Sequence, residues 1–169
     1  VKITFNGNPA ELEATPPTVG EELPKFKVFD NQNQKVKRAD LVGQPLLISV
    51  VPDINTSVCS TQTHKFNQQA DHYPHATFVT ISNNAVAEQE GWCAAEGVAH
   101  LQLLSDEELS FGYATGLYLP TVGLLARSIF VVDEAGVITY SEIVPEATHE
   151  PNYVAALEAL EKLTDRVDA

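Results

Sequence analysis

The run PLLISVVPDINTSVCSTQTHKF, residues 45–66, decides the fold. Its first part, residues 46–51, is a continuous apolar stretch rich in β-branched side chains, the pattern of a strand buried on both faces of a sheet. Thr56 and Ser57 then stand as candidate helix caps, and Val58, Phe66 and Ala70 supply apolar positions beyond them, so a helix is predicted from about residue 57 onward. A buried strand that feeds directly into a helix is the opening of an α/β layering.

Working outward, ATFVTIS at 76–82 reads as a second core strand, and AVAEQEGWCAAEG at 85–97 as a helix closed by Gly97. LQLLSD at 101–106 gives a third short strand and EELSFGYAT at 107–115 a further helix. SIFVVD and VITYSEI, joined through DEAG, form a hairpin over 128–143. Pro151 at a first helical position opens a closing amphipathic helix with Tyr153, Leu157, Leu160 and Leu163 on one side. Upstream, VKITF, the turn NGN and PAELEA predict a hairpin over 2–14, an embellishment at the N-terminal end of the chain (1–14). A loop punctuated by prolines and Gly20 follows at 15–24, then two short strand pieces at 26–29 and 35–38 around DNQNQ. The expected architecture is a mixed central sheet flanked by helices, a thioredoxin-like α/β fold with an N-terminal β-hairpin. At 169 residues the chain is expected to be one domain, 1–169.

Composition narrows the function. A formal net charge of −13 repels phosphate backbones and anionic bilayers, so neither nucleic acid nor membrane is expected as a partner. The longest apolar runs fall far short of the ~20 residues of a spanning helix, and no basic segment leads into an apolar one at the N-terminal end. A cytoplasmic protein is expected. Two cysteines in the whole chain do not make a stapled scaffold. No C-x-x-C or H-x-x-x-H spacing links Cys59, His64, Cys93 or His100, and no Gly-rich phosphate loop is present, so neither a metal nor an organic cofactor is expected.

The cysteines are therefore packing residues or reagents. Cys59 falls at the start of the helix after the first core strand, where unpaired N–H groups and the helix dipole favour an anion and hence a thiolate. Burial as a small hydrophobe is the competing reading. Arg127 offers an independent clue. It is one of three arginines, and it interrupts the apolar run VGLLARSIFVV. A guanidinium turned into a core needs an anion or good acceptors, and a thiolate would serve. Alternatively, it points outward near a strand end or pairs with a carboxylate.

The string PDINTSVC, with Pro52 seven residues and Thr56 three residues before Cys59, resembles the P-x-x-x-T-x-x-C pattern of the peroxiredoxins. The resemblance implies that the proline shields the thiolate, that the Thr56 hydroxyl and backbone N–H groups contact the peroxide oxygens, and that Arg127 stabilises the thiolate and binds the peroxide. Cys93 lies thirty-four residues beyond Cys59 in the helical stretch GWCAAEG, where packing beside Trp92 is the plain alternative. Its place, the N-terminal hairpin, GLLARSIFVVDEAG and THEPNYVAAL together are similar to the bacterial thiol peroxidase branch, the atypical two-cysteine peroxiredoxins.

That branch implies reduction of hydrogen peroxide and alkyl hydroperoxides through a Cys59 sulfenic acid, with Cys93 as the resolving thiol in an intramolecular disulfide. It also implies thioredoxin or a thioredoxin-like reductant as electron donor, and a homodimer. The sequence departs from the pattern in two places. SNNAVAEQEGWC lacks an aspartate and a Pro-Phe pair after the strand, and TGLYLPTVGLLAR lacks a Gly-Pro-Leu. Two other classes compete: a thioredoxin-fold binding module with inert cysteines, and a protein thiol-disulfide oxidoreductase, which the missing C-x-x-C counts against.

Overall fold

The computed structural model describes residues 1–168. Its N-terminal hairpin pairs β1 (Lys2–Phe5) with β2 (Asn8–Glu11), Phe5 standing opposite Asn8. Asn6 and Gly7 between them both take positive φ, 54° and 80°, as the two-residue turn of a tight hairpin requires. The hairpin ends earlier than the expected residue 14, and it is no embellishment. Ile3, Ala10 and Leu12 are buried in the main core.

The chain continues through β3 (Lys27–Phe29), β4 (Lys35–Lys37), the single-turn α1 (Arg38–Leu41), β5 (Leu46–Val50), α2 (Ser57–Ala70) and β6 (Thr77–Ser82). It then forms α3 (Val86–Glu96), β7 (Gln102–Ser105), α4 (Ser110–Thr115), the short pair β8 (Tyr118–Leu119) and β9 (Leu124–Leu125), β10 (Ser128–Val132), β11 (Ile138–Ile143) and α5 (Tyr153–Glu161). Seven strands make one mixed sheet in the order β11-β10-β5-β6-β7-β3-β4. The β5–β6 and β6–β7 pairs are parallel, bridged by α2 and α3, and the remaining pairs are antiparallel. This is the thioredoxin-like arrangement.

Strand alternation divides the interior in two. Leu46, Ile48 and Val50 of β5 and Phe130 and Val132 of β10 face a core closed by the hairpin, Phe111 of α4, Leu119 and Leu125. Leu47 of β5 and Ile129 and Val131 of β10 face the other core, closed by Phe66 of α2 and by Ala156 and Leu160 of α5. Because both faces are covered, every residue of β5 and β10 is buried, which is why both are apolar apart from Ser49 and Ser128.

Two expected helix starts move. Pro151, expected at the first helical position, is buried just outside α5, and Asn152 caps the helix: its Oδ1 accepts from Ala155 N–H at 3.0 Å, a contact worth about 1 kcal/mol. Residues 107–109 stay out of α4 because Leu109 takes a left-handed conformation, φ 63°. The Asp106 carboxylate instead accepts from the N–H groups of Phe111 and Gly112, both at 2.8 Å. The pair β8–β9 and the turn α1 were not foreseen.

Asp106 is 1% exposed, and burial pushes its carboxyl up to about 6 against the two backbone donors that favour the anion. The folded chain then holds this proton more tightly than the unfolded chain, so this group's contribution to stability is full below the unfolded value of 3.8 and is lost as pH rises to about 6. Urea unfolding of the native chain and of Asp106→Asn between pH 4 and 7 is expected to show that slope, on the order of 2–3 kcal/mol, only in the native chain. Parallel pH profiles would refute it.

Candidate active site

The site begins with the buried stripe of α2. Its buried residues are Cys59, Gln62, Thr63 and Phe66, spaced i, i+3, i+4 and i+7 on one helix face. Val58 and Ala70, expected on that stripe, are only half-buried. Cys59 is the third residue of the helix and is fully enclosed; its carbonyl accepts from Thr63 Oγ1 at 2.9 Å.

Arg127 stands one residue before β10, on the parity of Ile129 and Val131, so its side chain enters the same core as Cys59. It is 2% exposed, and each of its three guanidinium nitrogens donates a hydrogen bond. Nη2 donates to Cys59 Sγ at 3.2 Å, Nη1 to Gln62 Oε1 at 2.8 Å, and Nε to the Ala147 carbonyl at 2.7 Å. Gln62 is fixed in turn by its own Nε2, which donates to Ser49 Oγ at 2.7 Å. These three acceptors are a sulfur, an amide oxygen and a backbone carbonyl, none of them a carboxylate. Glu150, which shares the field of Arg127, is held below the usual carboxylate range first by the Tyr153 hydroxyl, at 2.7 Å, and then by Lys65, at 3.2 Å. Of the three acceptors only the Cys59 sulfur belongs to an ionisable group.

A cleft of about 390 Å³ reaches Arg127, lined also by Pro52, Thr56, Val58 and Leu124, with Phe5 and Thr148 among its other residues. Thr56 is the exposed N-cap residue of α2, but its hydroxyl donates to the Asp53 carbonyl at 3.0 Å rather than capping the helix. The first N–H groups of α2 have no intrahelical acceptor, and Ser57 and Val58, which carry two of them, line the cleft. Four of the five expected residues, Pro52, Thr56, Cys59 and Arg127, come together here.

Cys93 lies apart. It sits near the end of α3, half-buried, beside a separate hollow of about 220 Å³ lined by Asn31, Val98 and Leu103. Burial pushes its thiol up, and a hydrogen bond with Asn31 partly offsets that. Both thiols are free. His64 and Lys65, one turn past Cys59, turn to Glu96 at 3.0 Å and Glu150 at 3.2 Å on the helix exterior.

Several residues of the site were not singled out in the sequence. Gln62 could have been, since a polar side chain three residues after Cys59 shares its helix face. Asn84 lies in the stretch that departs from the peroxiredoxin pattern, and it has a structural role. Its Oδ1 accepts from Ile54 N–H at 2.9 Å, while Nδ2 donates to Asp53 at 3.0 Å and to Glu88 at 2.9 Å. Asn55 reaches the same Glu88 at 2.8 Å, so the loop carrying Pro52 and Thr56 is tied to the first turn of α3. The second departing stretch forms β8–β9 and delivers Leu124 to the cleft.

A thioredoxin-like sheet with one enclosed, cation-paired thiol at the start of a helix defines a redox protein that works through sulfur. The Redoxin family profile matches residues 18–157. The chain is 47% identical to a thiol peroxidase of Listeria monocytogenes over 162 residues, 95% of this chain and 98% of that one. It is 41% identical to the thiol peroxidase of Bacillus subtilis, covering 96% of this chain and 98% of that one. Among solved structures, a peroxiredoxin-like protein from Aquifex aeolicus superposes with a TM-score of 0.88 at 26% identity, covering 96% of each chain. A thiol peroxidase from Chromobacterium violaceum shares the fold with a TM-score of 0.86 at 18% identity, covering 95% of each chain. The chain belongs to the Redoxin family and, within it, to the thiol peroxidases, enzymes of the peroxiredoxin type. Among the described residues no helix is long and apolar enough to cross a membrane.

Proposed function

We propose that Cys59 is the thiol that reduces hydrogen peroxide and alkyl hydroperoxides. The observation that carries this is the 3.2 Å contact between its Sγ and the guanidinium of Arg127, a residue that lines the cleft. The thiolate attacks the terminal oxygen of the hydroperoxide, the O–O bond breaks, and Cys59 becomes a sulfenic acid. The leaving oxygen takes a proton and departs as water or an alcohol. Arg127, the Thr56 hydroxyl oxygen and the N–H groups of the first turn of α2 surround the oxygens as charge shifts between them, and Pro52 shields the thiolate from solvent.

Cys93 then attacks the sulfenic sulfur, forming an intramolecular disulfide and releasing water. Cys59 is fully enclosed and Cys93 opens onto a different hollow, so the first turn of α2 and the end of α3 unwind to bring the sulfurs together. A thioredoxin or thioredoxin-like dithiol reduces the disulfide and becomes oxidised. The whole cycle runs on one domain, in the cytoplasm, within a homodimer. Coupling the protein to thioredoxin, thioredoxin reductase and NADPH is expected to give peroxide-dependent NADPH oxidation that disappears in Cys59→Ser. A Cys59→Ser chain that keeps full turnover would refute the assignment.

A further inference from the structure

The Glu146 carboxylate lies outside the sulfur chemistry, yet it joins the N-terminal hairpin to the 146–148 loop beside the cleft. One oxygen serves the hairpin: Oε1 accepts from Thr4 Oγ1 at 2.9 Å and from Gly7 N–H at 2.8 Å. The other serves its own loop: Oε2 accepts from Thr148 N–H at 2.7 Å and Thr148 Oγ1 at 2.5 Å, with Asn6 N–H at 3.4 Å. These donors hold the carboxyl at about 2, so it is an anion under all working conditions.

What it fastens is a wall of the cleft. Phe5 and Asn6, at the hairpin tip, line one side, and Ala147 and Thr148 line the adjoining side. The hairpin side of this wall lies before residue 18, where the Redoxin match begins, while Ala147 and Thr148 lie within it. The backbone of Thr4 already ties the base of the hairpin to the loop, through Thr4 N–H to the Pro145 carbonyl and Ala147 N–H to the Thr4 carbonyl, both at 2.8 Å. The Ala147 carbonyl that meets Arg127 shares its peptide unit with the Thr148 N–H held by Oε2, and the single oxygen of a glutamine can keep that bond. The tip is what a second carboxylate oxygen is needed for.

We propose that Glu146 is a positioning residue for substrate choice: by stapling the tip at Asn6–Gly7 to the 146–148 loop, it holds Phe5 as an apolar wall against which the organic group of an alkyl or aryl hydroperoxide packs. Hydrogen peroxide has no such group and gains nothing from the wall. The staple needs an acceptor on each side. A glutamine in its place offers one oxygen and turns an N–H₂ towards donors on the other side, so the conservative variant breaks it as well.

The inference rests on the reading of Cys59 as the peroxide-reducing thiol, and the test separates the two. Values of kcat/KM for cumene hydroperoxide and for hydrogen peroxide are measured for the native chain, Glu146→Gln and Thr4→Val, with Cys59→Ser as the blank. Thr4→Val removes only the hydroxyl on the hairpin side and covers the case in which Glu146→Gln folds poorly. Thermal melting of each variant reports its folding. The cumene-to-hydrogen-peroxide ratio is expected to fall about tenfold in Glu146→Gln, the size of losing ~50 Å² of apolar contact, and severalfold in Thr4→Val, with the rate on hydrogen peroxide within about threefold of native. An unchanged ratio in folded variants, or an equal loss on both substrates, overturns the role of Glu146 and leaves that of Cys59 standing. Turnover in the Cys59→Ser blank overturns the underlying reading instead.

Discussion

Arg127→Met is expected to react with hydrogen peroxide about 10²–10³ times more slowly than the native chain, the usual loss on removing one preorganised donor to a developing oxyanion. The variant removes the charge that faces the sulfur at 3.2 Å, and with it the only cationic group shown donating to Cys59 Sγ among the described residues. The thiolate and the departing oxygen both lose their counter-charge in an enclosed site, where an unscreened charge costs most. Stability falls too. Gln62 Oε1 and the Ala147 carbonyl would be left without the donors that now meet them at 2.8 and 2.7 Å, a loss of about 1–3 kcal/mol for each buried acceptor. Arg127→Lys keeps the charge but cannot fork to three acceptors, so it is expected to recover only part of the rate. Competition kinetics on the pre-reduced chain, well below the melting temperature, check this. A rate within about threefold of native for Arg127→Met would contradict it.

The two cysteine variants are expected to part company. Cys59→Ser abolishes peroxide reduction, because a serine hydroxyl in the same place is a far poorer nucleophile and cannot form a sulfenic acid. Cys93→Ser consumes one equivalent of peroxide and then stalls under thioredoxin recycling, since no intrachain disulfide forms. Its stalled sulfenic acid is open to further peroxide, so exposure to excess oxidant drives it to the irreversible sulfinic acid faster than the native chain. Stopped-flow turnover followed by mass measurement distinguishes these outcomes. Sustained turnover with thioredoxin in Cys93→Ser would remove Cys93 from the mechanism and leave Cys59 in it.

The parts of the molecule that could be read from the sequence are those whose signal is local. The apolar run of β5 and the strand-to-helix step at Pro52–Thr56–Cys59 depend on neighbours within a dozen residues. Arg127 was visible as a charge in an apolar run, but its direction depended on the parity of β10 and on Gln62 and Cys59, 65 and 68 residues away. The late start of α4 followed from the left-handed Leu109 and from Asp106 reaching Phe111 N–H and Gly112 N–H, which propensity does not report. Glu146 and the hairpin tip meet across 139 to 142 residues, and nothing in VKITFNGN or VPEAT alone announces that they touch. The buried role of residues 2–12 was missed for the same reason: Ile3, Ala10 and Leu12 have an ordinary strand pattern, and only the sheet they cover makes them core.

The central claim is that one sulfur, enclosed and facing a guanidinium, takes the oxygen from the peroxide. Peptide mass mapping of the Cys93→Ser chain after one equivalent of hydrogen peroxide, trapped with a sulfenic-acid reagent, tests it most directly. The trapped adduct is predicted on the peptide containing Cys59 and to be lost when Arg127→Met is added under the same short exposure. An unmodified Cys59 in chain that has consumed the peroxide would contradict the account.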